Sequence, residues 1–300
     1  MPKPARQLPT TKARTQTSSA GNGKLSIFDR IAPIGFDPED GIKLLLYGRS
    51  GTGKTTTWAT FPKPILAMIV SGGDKPGELR SIDTDEYRED IRQVVIQDSS
   101  EVHEFVSQPE RWPQPYQTIV LDHASGLQDK VLAEIMKVDQ LPAQKSWGFT
   151  SRENYGACVT QCKELFRAML SLQCNVVIVA QERASNSEGE SELLTPSVGA
   201  GLMPSLVSWL NPACDYIGQT FIRPKMKRVT KEFGQGKTKK TQTMEVKTKA
   251  KEYCLRTAPD EVYTTKFRVP KGRPLPDVIV GPTYTKIMAI IRGEEIGDDE

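Results

Sequence analysis

The sequence predicts an α/β fold in which helices cover both faces of a mostly parallel β-sheet, followed by a C-terminal region of β-hairpins. Two observations indicate this class. Between residues 42 and 181, short apolar runs that suit buried strands alternate with helical segments, as expected when helical crossovers join parallel strands. After residue 214 the alternation ends, and strand-like segments follow one another without a helix between them, which favours hairpins.

The individual elements follow from these patterns in chain order. Runs rich in Ile, Leu and Val predict strands at residues 42–47, 64–70, 93–96, 116–122 and 175–181. Helices are predicted between them at residues 54–60, 100–107, 125–137 and 152–172. Further along, strands are predicted at residues 215–222, 251–257 and 262–269, and a last helix at residues 282–291.

Charge and composition divide the chain into regions. Residues 1–24 hold five Lys/Arg and no acid among Pro, Thr, Ser and Gly, a composition typical of a disordered basic arm. Residues 25–292 are expected to fold, with a basic hairpin insertion at 223–251 that holds eleven Lys/Arg and two Glu. Residues 293–300 form an acidic tail with five carboxylates. This distribution predicts a polyanionic partner, with the tail competing for the basic surface or binding a basic protein.

Several classes of protein are disfavoured. No run approaches eighteen consecutive apolar residues, so no membrane partner is expected. The N-terminus lacks the apolar segment of a secretory signal, which favours a cytoplasmic location. The five cysteines include no C-x-x-C pair, and Cys158 and Cys162 have no histidine nearby in sequence. Reduced thiols are therefore expected rather than a zinc site.

A complete G-x4-G-K-[ST] motif, Gly-Arg-Ser-Gly-Thr-Gly-Lys-Thr, occupies residues 48–55 between a predicted strand and a predicted helix, the context that a phosphate-binding loop requires. Glycines let the backbone turn its N–H groups toward phosphate oxygens, and the helix N-terminus adds partial positive charge. Lys54 is expected to contact the β- and γ-phosphates of ATP, and Thr55 to coordinate Mg²⁺. The predicted nucleotide-binding residues are Gly48, Arg49, Ser50, Gly51, Thr52, Gly53, Lys54, Thr55 and Thr56.

Two later strands end in polar residues. Asp122 ends a strongly apolar strand, which would place its carboxylate at the same sheet edge as the loop, where it would hold Mg²⁺ directly or through water. Gln181 ends the strand at 175–181 and either senses the γ-phosphate for the following loop or caps the strand. No glutamate ends the strand at 64–70. Asp74 or Glu78 could instead orient the attacking water, or turnover is slow.

Together these residues resemble the RecA-like P-loop ATPase core. More narrowly, they resemble the phage-encoded RecA-like proteins of the single-strand-annealing recombination group, which are AAA-type ATP-binding proteins. The resemblance covers residues 40–292, and its later part is carried by Arg256, Thr257, Pro259, Lys266, Phe267, Arg268, Leu275 and Pro276. It implies a homo-oligomer, either filament or ring, located in the host cytoplasm if the protein is phage-encoded.

In such assemblies, basic residues of a neighbouring subunit complete the nucleotide site. The resemblance implies that Lys266 and Arg268 have this catalytic role, the alternative being an ordinary solvated strand face. It also implies contacts with single-stranded DNA from the loops at 138–152 and 182–201. The second loop departs from this expectation, because it carries the four acidic residues Glu182, Glu188, Glu190 and Glu192. The basic insertion at 223–251 is therefore the preferred DNA contact.

Three functions remain open on the sequence. The leading hypothesis is an ATPase that acts on single-stranded DNA in recombination or annealing, with phosphate contacts supplying the affinity. Phe221 and Phe233 are the aromatic residues near the basic tract that could stack on bases. The alternatives are a hexameric motor or helicase loader, and a nucleotide-gated adaptor without significant turnover.

Overall fold

The computed structural model describes residues 41–70, 78–82, 89–139, 141, 151–187, 195–233 and 240–295. These residues all belong to one unit of the chain, residues 37–300. Several predictions fall outside the described residues: the basic arm at 1–24, Asp74, the hairpin tip at 234–239 and the acidic tail beyond residue 295.

The described strands form one nine-stranded sheet. They are β1 (Lys43–Gly48), β2 (Ile65–Ile69), β3 (Ile91–Val95), β4 (Thr118–Asp122), β5 (Asn175–Ser187), β6 (Thr195–Ala200), β7 (Tyr216–Phe233), β8 (Lys240–Arg256) and β9 (Val278–Val280). Their order across the sheet is β3-β2-β4-β5-β1-β7-β8-β9, and β6 pairs with β5. The first six strands in this order are parallel, whereas β6, β8 and β9 pair antiparallel with their neighbours. The predicted α/β class is confirmed.

The described helices pack on both faces of the sheet. They are α1 (Lys54–Trp58), α2 (Ser99–Ser107), α3 (Ala124–Met136), α4 (Arg152–Leu170), α5 (Pro204–Ala213) and α6 (Tyr284–Arg292). Alternate residues of β1 reach opposite layers. Leu45 and Tyr47 join the core beneath α2 to α5, and Leu44 and Leu46 join the core beneath α1 and α6. Two short 3₁₀ turns, Glu78–Ile82 and Pro109–Arg111, complete the described elements. None of the described helices is long and apolar enough to cross a membrane.

Four local predictions were wrong or incomplete. The strands predicted at 215–222 and 251–257 are the roots of a much longer hairpin, since β7 and β8 pair from Gln219–Arg256 to Phe233–Lys240. The region 182–201 is not an open loop, because β5 continues to Ser187 and pairs with β6. No strand forms at 262–269, where Tyr263 and Lys266 make isolated bridges. Helix α5 and strand β9 were not predicted.

Candidate nucleotide-binding site

The carboxyl ends of β1 and β4 lie at one edge of the sheet, where β5 passes between them. Gly48 at the end of β1 lies opposite Gln181 of β5, and Asp122 ends β4 opposite Val179 of β5. Open parallel sheets bind ligands at this edge. A cavity of about 790 Å³ opens here. Its lining includes Ser50, Gly51, Gly53, Lys54, Thr55, Thr56, Thr57, Asp122, His123 and Gln181.

The glycines of the loop meet two different physical requirements. Gly51 and Gly53 have φ angles of 77° and 90°, in the left-handed region that costs other residues conformational energy. Gly48 is required for space, because a Cβ built on it would lie 2.3 Å from Oγ1 of Thr220 on β7. The loop therefore turns tightly and lies directly against the neighbouring strand.

The side chains of Thr52 and Arg49 connect the loop to the neighbouring strands β7 and β5. The buried Thr52 hydroxyl donates to the Arg49 carbonyl at 2.8 Å and lies 2.7 Å from the Thr220 hydroxyl. Arg49 forms a 3.0 Å ion pair with Glu182, and 83% of its side chain is exposed. The Thr52 hydroxyl is engaged within the protein, so we expect Thr52 to contribute to the nucleotide through its backbone N–H group. The Arg49 guanidinium is mostly exposed, and an ion pair so exposed contributes little to stability.

Lys54 begins α1 and lies inside the cavity. Its ammonium donates hydrogen bonds to the carbonyls of Gly48 and Arg49, at 2.8 and 2.7 Å. Burial lowers the pKa of Lys54, an effect that the negative charges of Asp122 and Glu182 oppose. The Lys54 ammonium is thus held at the loop backbone, where it would lie beside the negative charge of a bound phosphate chain.

Asp122 and Thr55 line the same cavity and offer oxygen ligands. Asp122 is 8% exposed, and its Oδ2 accepts a 3.2 Å hydrogen bond from the indole N–H of Trp58. Burial raises the pKa of Asp122, while the Trp58 hydrogen bond and the charges of His123 and Lys54 lower it. Among the described residues, no group of three or more His, Cys, Asp or Glu could hold a metal ion.

This donor set fits Mg²⁺ that enters together with a nucleotide. Mg²⁺ prefers hard oxygen ligands and is usually held by one or two protein groups plus substrate phosphates. The Thr55 hydroxyl and the Asp122 carboxylate are the groups that would hold the Mg²⁺ ion. When bound, it would neutralise charge on the β- and γ-phosphate oxygens.

Gln181 lines the cavity, and its side chain is exposed there. Its backbone is well anchored, because its N–H donates to Oγ of Ser125 at 3.3 Å and its carbonyl accepts from Gly201 N at 2.6 Å. The strand continues past this residue into the β5–β6 hairpin. A sensor at Gln181 would therefore act on a hairpin rather than on an open loop.

The structure adds residues that sequence reasoning missed. Tyr253 of β8 is 49% exposed and lines the cavity together with Gly281, Pro282 and Thr283. Its ring lies over the loop, 3.0 Å from where a Cβ on Gly53 would stand. His123 also lines the cavity, and its Nδ1 accepts a 2.8 Å hydrogen bond from Gly126 N. In a neutral ring the proton is then on Nε2.

Lys266 and Arg268 make contacts within their own chain. The Lys266 ammonium donates to the carbonyls of Asn211, Pro212 and Cys214 at the C-terminal end of α5, at 3.0, 3.2 and 2.5 Å. Arg268 pairs with Asp215 at 3.3 Å, and 61% of its side chain is exposed. Neither is among the described residues that line the cavity, so their role in a neighbouring subunit stays a prediction.

The acids considered for orienting water are not located as side chains. Glu78 begins the 3₁₀ turn whose Ser81 lines the cavity, but the Glu78 side chain and Asp74 lie outside the described part of the chain.

Cys158 and Cys162 on α4 are buried thiols that are not joined in disulfides.

A parallel sheet, a glycine loop with its lysine, and a buried aspartate at the same sheet edge define a P-loop ATPase. The chain belongs to the AAA domain family, whose profile matches residues 40–269. No curated protein matches the sequence. Among solved structures, the flagellar accessory protein FlaH from Methanocaldococcus jannaschii is similar at 9% identity and a TM-score of 0.34, over 80% of this chain and 91% of that chain.

Proposed function

We propose that this protein binds and hydrolyses ATP with Mg²⁺, and that it acts on single-stranded DNA through the hairpin formed by β7 and β8. One observation carries the proposal: the hairpin is rooted at the nucleotide cavity. Tyr253 of β8 lines that cavity, and the same two strands extend into an exposed ribbon rich in lysine. Recombination or strand annealing is the process proposed, in line with the sequence resemblance.

The described surface of the hairpin suits a polyanion. Its exposed lysines are Lys225, Lys227, Lys247, Lys249 and Lys251. Lysines that neutralise phosphates release condensed counterions, which gives affinity without sequence readout. Met226 and Val246 are 42% and 43% exposed. Met226 pairs across the ribbon with Lys247, and Val246 pairs with Lys227, so each face of the ribbon presents lysine beside an apolar side chain.

Base stacking on the hairpin is limited in the described residues. Phe221 is half-buried, and the guanidinium of Arg256 lies 5.0 Å from its ring centroid. This contact occupies one face of the half-buried ring, which limits the area that Phe221 offers for stacking. The side chain of Phe233 lies outside the described residues. Binding is therefore expected to be mainly electrostatic.

A chain of polar contacts joins the phosphate loop to the root of the hairpin. Glu182 accepts hydrogen bonds from Arg49 at 3.0 Å and from Gln219 of β7 at 2.9 Å. Arg256 of β8 in turn donates to Gln219 at 3.5 Å. A nucleotide that shifts Arg49 would change the contacts at both hairpin strands, which offers a physical route from ATP to DNA.

The test compares two triple variants that each lose three positive charges. In the hairpin variant, Lys227, Lys247 and Lys249 are replaced by alanine. In the control, Lys163, Arg167 and Lys271 are replaced, on α4 and in the turn before β9. Binding of fluorescent oligo-dT is measured from 50 to 200 mM salt. The hairpin variant should lose roughly 2 from its log–log salt slope, since each phosphate contact on a single strand contributes about 0.7.

The control variant should keep the wild-type slope, and the loss in the hairpin variant should be equal for oligo-dT and mixed sequences. Equal affinity of the wild type and the hairpin variant at every salt concentration would refute the DNA-binding hairpin. The hairpin would then be a protein-docking element, and the chain a nucleotide-gated adaptor.

A further inference from the structure

Helix α1 carries two side chains that reach the two halves of the nucleotide site. Lys54, its first residue, lies beside the loop carbonyls. Trp58 follows four residues later, so both project from the same side of the helix. Trp58 is fully buried, and its Nε1 lies 3.2 Å from Oδ2 of Asp122. One short rigid element therefore contacts both the phosphate loop and the metal-ligand carboxylate.

The Trp58 contact is specific because of the chemistry of the two groups. An indole N–H can only donate, and a carboxylate can only accept. In the part of the chain that the structure describes, Trp58 supplies the side-chain hydrogen bond on the Asp122 carboxylate. The indole occupies one lone pair of Oδ2, so Oδ1 is the carboxylate oxygen with both lone pairs left for a metal ion or for its bound water.

We infer that Trp58 is a positioning residue for Mg²⁺, which orients Asp122 so that one carboxylate oxygen is presented to the metal. This inference rests on the magnesium-dependent part of the proposed function. Groups that hydrogen-bond to metal ligands restrict their orientation, and their removal costs about 10- to 100-fold in metal affinity. A tryptophan that only filled the core would have no such selective effect on the metal.

The experiment removes the indole N–H and measures metal and nucleotide separately. Trp58→Phe is compared with Trp112→Phe, because Trp112 also donates its indole N–H, to the Phe105 carbonyl at 2.9 Å, away from the nucleotide cavity. Mn²⁺ binding in the presence of a non-hydrolysable ATP analogue is followed by electron paramagnetic resonance. Binding of the same analogue without metal is measured in EDTA.

Trp58→Phe should weaken Mn²⁺ binding about tenfold or more, while metal-free analogue binding stays within about twofold of wild type. Trp112→Phe should leave both unchanged. Wild-type Mn²⁺ affinity in Trp58→Phe would overturn the inference, as would an equal loss of metal and metal-free nucleotide binding. If the wild type itself bound neither Mn²⁺ nor the analogue, the proposed function would fail instead.

A second measurement covers the case in which Trp58→Phe does not fold. A protein with Trp112, Trp147 and Trp209 replaced by phenylalanine keeps Trp58 as its sole indole. Adding Mg²⁺ to this protein with bound analogue should change the tryptophan emission, because the hydrogen-bonded carboxylate gains a metal ion. Emission that is insensitive to Mg²⁺, with Mn²⁺ binding still measurable, would overturn the inference.

Discussion

Replacing Lys54 by methionine removes the ammonium group of the phosphate loop and retains most of the length of the side chain. In the structure this ammonium donates hydrogen bonds to the Gly48 and Arg49 carbonyls at 2.8 and 2.7 Å. When ATP binds, we expect it to contact the β- and γ-phosphates instead. The substitution should therefore affect nucleotide binding far more than folding.

The magnitudes follow from these contacts. A hydrogen bond to a charged group contributes about 1.5–3 kcal/mol, and each 1.4 kcal/mol is tenfold in affinity. Loss of one such contact should weaken ATP·Mg²⁺ binding between about tenfold and about a hundredfold. The lowered pKa of Lys54 indicates that its burial disfavours the charged form, so methionine relieves that cost while losing the two carbonyl bonds. The free energy of unfolding should therefore change less than the free energy of ATP binding.

Titration with a fluorescent ATP analogue measures the loss of nucleotide affinity, and thermal unfolding followed by circular dichroism measures the change in stability. Lys163→Met on α4 is the matched control, because it removes a lysine away from the cavity. A folded Lys54→Met protein that bound ATP as tightly as wild type would refute the assignment of Lys54 to the phosphates.

Substitutions at three further residues test other parts of the proposed function. Asp122→Asn should reduce Mg²⁺-dependent hydrolysis much more than ATP binding, since it removes the carboxylate charge that we propose holds Mg²⁺; wild-type turnover in a steady-state ATPase assay would contradict this. We expect the exposed Tyr253 ring in the cavity to stack on the base of ATP. Tyr253→Ala should then weaken ATP binding by about 1–3 kcal/mol and leave tripolyphosphate binding unchanged, whereas Tyr253→Phe should bind both normally. Equal loss for ATP and tripolyphosphate in calorimetric titrations would exclude base stacking. Arg268→Ala should bind ATP but hydrolyse it poorly, and mixing it with Lys54→Met should restore activity if Arg268 acts in a neighbouring subunit. Co-assembled variants that remain inactive would exclude that role.

The sequence predicted the parallel core well, because buried strands such as β1 and β4 are continuous apolar runs and the glycine motif identifies its own strand and helix. The four predicted residues Lys54, Thr55, Asp122 and Gln181 do line one cavity, although β5 continues past Gln181 to Ser187 and does not end there as predicted. These predictions depend on local patterns, which a single sequence records directly.

The predictions that failed concern strand pairing between residues that are far apart in the sequence. Strands β7 and β8 extend far beyond their predicted ends, because the outer hairpin is polar and exposed and lacks the apolar pattern of a buried strand. Residues 262–269 alternate like a strand, yet Lys266 turns to the end of α5 and makes only an isolated bridge. No sequence motif marks Tyr253, because the pairing of β8 with β7 is what brings it to the site.

The most direct test of the account is the rate of ATP hydrolysis with and without single-stranded DNA. We predict Mg²⁺-dependent turnover that single strands stimulate in the wild type and that Lys54→Met abolishes. The variant lacking Lys227, Lys247 and Lys249 should retain the basal rate and lose the stimulation. A basal rate that single-stranded DNA leaves unchanged, in wild-type protein that binds ATP, would contradict the coupling of this ATPase site to DNA.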